Sequence, residues 1–137
     1  MMADHQKQNM RDHLAAVQEI IGALATDNFT RVESAARPLG FSEEMGRMCT
    51  HMGSGAPGFS ERALVFHRTA DGIAVAARQR DKASVLKQLG ATREACTSCH
   101  ATWKQQVGDE ATWETLTAAA PATHESPQSG ASTEEEP

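Results

Sequence analysis

Apolar residues recur every three or four positions along almost the whole chain, and no segment alternates apolar and polar residues as a half-buried strand would. Lys7 to Leu24 carries Met10, Leu14, Val17, Ile20, Ile21 and Leu24 at this spacing. Asp27 reads as the N-cap of a second helix with Phe29, Val32, Ala36 and Leu39 on one face, ended by Pro38 and Gly40. Ser42 caps a short helix, Glu43 to Met52, whose first turn holds Glu43 and Glu44 as a helix dipole favours. After the break Gly53-Ser54-Gly55-Ala56-Pro57-Gly58, Ser60 opens a helix to about Arg78 with Ala63, Phe66, Ala70, Ile73 and Ala77 inward. Asp81 caps the last segment, which reads Val85, Leu86, Leu89, Cys96, His100, Trp103, Val107. Gly90 costs about 1 kcal/mol there relative to Ala and marks a kink or a helix restart. The pattern predicts an all-α fold, an antiparallel four-helix bundle with an extra short helix. Residues 1–6 are expected to be a flexible N-terminus, 7–108 the bundle, and 109–137 partly helical and then a disordered acidic tail.

A length of 137 residues with 39% hydrophobic side chains suffices for one domain with a core. Aromatics are sparse at 4%, with no tyrosine, so the centre is filled by Leu, Ala and Met or by a cofactor. A net charge of −5 without a basic stripe argues against nucleic acid. No apolar run approaches the roughly 20 residues of a membrane span. Neither a Ser-His-Asp set nor a paired acid/base spacing suggests a hydrolase.

Cys96-Thr97-Ser98-Cys99-His100 is the attachment signature of c-type haem. Two thiols three residues apart reach two vinyl groups along one porphyrin edge, and the adjacent imidazole rises to the metal. Val85, Leu89, Cys96, His100, Trp103 and Val107 fall close to multiples of 3.6, which puts the motif on or beside the buried face of the last helix. His100 is then the proximal iron ligand. The ordinary alternative is a chance motif on a plain helix.

The segment from Leu89 to Lys104, with this motif followed by Ala101-Thr102-Trp103-Lys104, resembles the C-terminal helix of the cytochromes c′ and related class II c-type cytochromes. Trp103 and Lys104 stand where those proteins more often have Phe or Tyr and Arg. The resemblance covers roughly Met10 to Val107 and implies a four-helix bundle, often dimeric through its first two helices, with haem near one end. It implies a distal residue on the first helix about one turn after an arginine. Arg11 is that arginine, and His13, Leu14 and Met10 are the candidates beside it. Leu14 implies an open, gas-binding iron, whereas Met10 or His13 as ligand implies a six-coordinate one. Each is also explained as core or rim. Lys104, one turn after His100, lies near the ligated imidazole or is a solvated helix-end lysine.

One cluster departs from that family: Met45, Met48, Cys49, His51 and Met52. Thioether, thiolate and imidazole are ligands that soft copper prefers. His67 lies mid-helix where a bundle usually places Leu; if the helices pack as the resemblance implies, it and His13 join Cys49, His51 and Met52 around a second metal. A soft Met/Cys packing stripe explains the same residues.

The reading is therefore a haem protein that carries electrons or binds nitric oxide, carbon monoxide or a similar diatomic. A haem–copper redox or sensing centre is the alternative. A third reading, a zinc module using Cys96, Cys99, Cys49 and His51, lacks normal ligand spacing in its second half. Covalent haem implies a periplasmic protein. Met1 to Met10 is polar and has no apolar signal core, which is expected of a chain whose export signal has been removed. The expected partners are a redox protein and a second copy of the chain.

Overall fold

Helix α1 runs Met2–Ala25 and so begins upstream of the expected Lys7. The structure, a computed structural model, describes residues 2–103; Lys104, Val107 and the expected tail lie outside the described residues. The inward stripe of α1 is Ala16, Ile20, Ala23 and Leu24, with Val17 packed against the same cluster. Two residues of the expected apolar face point elsewhere: Leu14 is 71% exposed and Ile21 54%. At 100° per residue both lie roughly 100–120° round the helix from fully buried Ile20. His13 lies within about 20° of that stripe by the same count. Leu14 therefore does not face the interior, contrary to the expectation for the distal side.

The turn after α1 also differs from expectation. Asn28, not Asp27, caps α2 (Phe29–Ala36) by accepting a hydrogen bond from the Arg31 N–H at 3.1 Å. Asp27 instead takes the left-handed φ of 53° that lets the chain reverse. Pro38 lies in the first turn of a 3₁₀ turn, Arg37–Leu39, where a proline's fixed φ and missing N–H cost little. That turn carries Leu39 into the core, fully buried. Ser42 caps α3 (Glu43–Met52) as expected, its Oγ accepting from the Met45 N–H at 3.0 Å.

Helix α4 (Phe59–Arg78) starts one residue before the expected Ser60, after Gly58 in a left-handed conformation (φ 80°). Asp81 caps α5 (Lys82–Thr102), accepting from the Ser84 N–H at 3.0 Å. Helix α5 passes through Gly90 unbroken, so the expected kink does not form. Gly90 is exposed with nothing near its missing Cβ, and its cost is only the local propensity. On this helix Leu86 faces outward at 53% exposure, and Thr92 takes the inward position instead.

Helix α4 is the centre of the packing. It lies against α5, α2 and α3, while α2 in turn lies against α1 and the 3₁₀ turn touches both α1 and α4. Ile20, Val32, Leu39, Ile73 and Val85 meet in the middle with no exposure, one from each of α1, α2, the 3₁₀ turn, α4 and α5. Alanines 23, 35, 36, 70, 76 and 77 surround them, and their small side chains let the helices approach closely. The three-residue link Gln79–Asp81 makes α4 and α5 antiparallel. Arg62 on α4 donates to the Ser98 hydroxyl on α5 at 2.9 Å and fixes their register at the far end. The described residues are all-helical, three long helices and two short ones, consistent with a helical bundle. No helix among them is long and apolar enough to cross a membrane.

Candidate functional site

At the open end of this packing lies a cavity of about 420 Å³, within the usual range for small-molecule and cofactor sites. Four helices build its wall. Helix α5 contributes Ala95, Cys96, Cys99 and His100, all from the turns that carry the C-x-x-C-H motif. Helix α1 contributes Met10, Arg11 and His13, α3 contributes Met45, Cys49 and Met52, and α4 contributes Phe59, Ala63, Phe66 and His67. Trp103 closes one side, its ring edge-on to Phe59 at 5.8 Å. Gly58 sits against that indole, where a Cβ would come within 3.5 Å of the ring, and its positive φ is what turns the chain there.

The thiols of the motif are partly buried. Burial pushes the Cys96 and Cys99 thiols above their ordinary range, with the Arg62 guanidinium pulling Cys99 the other way. Cys49 is 2% exposed, and burial followed by the nearby Cys99 raises its thiol as well. Cys49, Cys96 and Cys99 thus share one mostly apolar wall, where burial favours the protonated thiol. His100 is exposed as a residue but lines the cavity rim one position after Cys99.

Two more imidazoles face this space. His67 is buried, and its Nδ1 lies 2.8 Å from the Leu39 carbonyl oxygen. Burial lowers its basicity, against the opposing pull of that carbonyl and of Asp71. His13 is pushed down to about 4 by burial and by His67, with Asp12 opposing. Both rings are neutral at pH 7. They meet edge to face, centroids 5.6 Å apart, and Phe66 contacts each.

The expected site residues thus divide. Cys96, Cys99, His100, Arg11, Met10, His13, Cys49, His67 and Met52 share one cavity. Leu14 does not line it, and Lys104 lies outside the described residues. His51 is exposed on α3 and does not line it either. Met48 turns aside and accepts from Asn9 Nδ2 at 3.4 Å. Among the described residues no three His, Cys, Asp or Glu side chains come together to hold a metal ion, in the copper or the zinc arrangement.

Sequence reasoning missed Phe59 as a wall residue, whereas Met45 was already part of the expected soft cluster. For Phe59 a signal existed: it precedes Ala63 and Phe66 by four and seven positions, but Gly58 hid it as part of the break. Against protein-family models, curated proteins and solved structures, the chain matches none.

Proposed function

We propose that this chain is a monohaem c-type cytochrome that transfers electrons or binds a diatomic gas, with haem joined through Cys96 and Cys99 and His100 as proximal iron ligand. The observation that supports this most is the shared placement of these three side chains on the wall of one apolar, cofactor-sized cavity. Any surface helix can carry C-x-x-C-H; few would turn it into a cavity lined by Phe59, Phe66 and Trp103.

The chain's own residues fit such a group. Cys96 and Cys99, one turn apart on α5, would anchor one edge of the ring as thioethers, and His100 follows on the same helix. Phe66, Ala63 and Ala95 supply a low-dielectric wall that excludes water. Arg11 on α1 lines the cavity as a counter-charge for a carboxylate-bearing cofactor. When bound, haem supplies the one-electron or gas-binding chemistry, and the protein tunes it through axial ligand, burial and access.

Covalent attachment fits a periplasmic chain. The exposed Leu14 and Ile21 of α1, one heptad apart, support association with a second copy through the first helix.

The test is expression with a c-type haem attachment system. The purified protein should show the mass of chain plus one haem and keep its Soret band after acid–acetone extraction. Cys96→Ala with Cys99→Ala should lose both. A colourless wild-type protein under these conditions refutes the proposal.

A further inference from the structure

His67 carries an arrangement that the haem motif alone does not account for. It is 3% exposed on α4, and its Nδ1 lies 2.8 Å from the Leu39 carbonyl. A carbonyl oxygen only accepts, so Nδ1 holds the proton and donates it. In the neutral ring the lone pair is then on Nε2. The same residue lines the cavity. Metal-bound histidines almost always show this pattern, one nitrogen donating to a carbonyl or carboxylate and the other left for the metal.

The helix register supports the same end. Arg62 and Ser98 are level across the antiparallel α4–α5 pair. By that register His67 and His100 start about 10 Å apart along the helix axes, at 1.5 Å per residue. Helical side chains lean toward their own N-terminus. On antiparallel neighbours this leans His67 and His100 toward one level, that of Cys96. His13 lacks the matching feature: both rings pack against Phe66 and against each other, but only His67 has a carbonyl fixing its tautomer among the described residues. Met10 is 41% exposed.

We propose that His67 would hold the haem iron through Nε2 as a second protein ligand beside His100, with the Leu39 carbonyl keeping it in the ligating tautomer. This rests on the haem reading and deepens it. With both imidazoles holding a bound haem, the chain would favour electron transfer over gas binding.

The experiment uses the haem-loaded protein. Intact mass first establishes covalent haem; a chain without it overturns the haem reading and this proposal together. With haem present, pulsed electron paramagnetic resonance on ¹⁵N-histidine-labelled wild type should count two coordinated imidazoles. His67→Gly should lose the low-spin signal, and added imidazole should restore it. His13→Phe should retain two coordinated imidazoles. One imidazole in haem-loaded wild type, an unchanged low-spin signal in His67→Gly, or loss of one imidazole in His13→Phe overturns the assignment of His67. The wild-type count decides even if the glycine variant does not fold.

Discussion

Filling the cavity should move stability and haem content in opposite directions. Ala63 lines the cavity from α4, outside the C-x-x-C-H motif, so Ala63→Phe leaves every attachment residue in place. A phenyl ring in that space buries roughly 100 Å² more apolar surface than Ala, worth about 2.5 kcal/mol at 25 cal/mol per Å². Rotamer restriction and imperfect fit reduce the gain to about 1–2 kcal/mol for the haem-free chain. Its urea midpoint should then rise by roughly 0.5–1 M at an ordinary denaturant slope. A bound ring would meet the same phenyl group as overpacking of about 1–3 kcal/mol, so the fraction of chains that take up haem should fall. Urea unfolding followed by circular dichroism reads the first effect, and intact mass with Soret absorbance per chain reads the second. An Ala63→Phe protein that takes up haem as the wild type does, with an unshifted haem-free midpoint, would show that the cavity is not where the ring sits.

Other substitutions probe the frame and its surface. Ser42→Ala removes the oxygen that accepts the Met45 N–H and should cost about 1 kcal/mol, lowering Tm by a few degrees in a thermal melt. The folded-state value for His13 is about 4, against 6.5 for the unfolded chain, so its contribution is complete above pH 6.5 and is lost as pH falls toward 4. Haem-free protein should lose stability across that window, and His13→Phe should flatten the slope; a parallel slope in the variant would contradict the assignment. Hydrogen bonds from Ser84 hold the Asp81 carboxyl below the usual carboxylate range. Its cap should persist above that range and fail as pH drops through the lowered value, and Asp81→Asn should remove this acid-limb dependence from thermal melts. Leu14→Glu with Ile21→Glu should leave the monomer's stability within about 0.5 kcal/mol, since both residues are exposed, and should abolish any dimer seen by sedimentation. A wild-type chain that sediments as a monomer at all concentrations rules out that use of the α1 surface.

Several local features could be read from residue types because the physics is local. Ser42 and Asp81 cap their helices whatever packs around them, since the acceptor oxygen and the orphan N–H lie within one turn. The Asp27 reading failed because Asp27 and Asn28 are adjacent and equally able to cap, and the choice depends on which one turns left-handed to bring α2 back against α1. Gly90 misled for a related reason: its propensity cost is real but small beside the packing of Val85, Leu89 and Thr92 on either side, and the helix continues.

By itself the sequence determined the helices of the described residues, through its three- and four-residue apolar spacing, and the grouping of Cys96, Cys99 and His100, since that spacing spans about one helical turn. Only the tertiary structure decided the other side of the cavity. Leu14, His13 and Met10 are near neighbours in an amphipathic helix, and a rotation of about 100° separates an exposed side chain from one in the cavity. Which face of α1 turns inward is set by its packing against α2 and the 3₁₀ turn, not by residue type. His67 depends still more on the fold. Its proton is placed by the Leu39 carbonyl, 28 residues away in the chain, and nothing local to either residue dictates that contact.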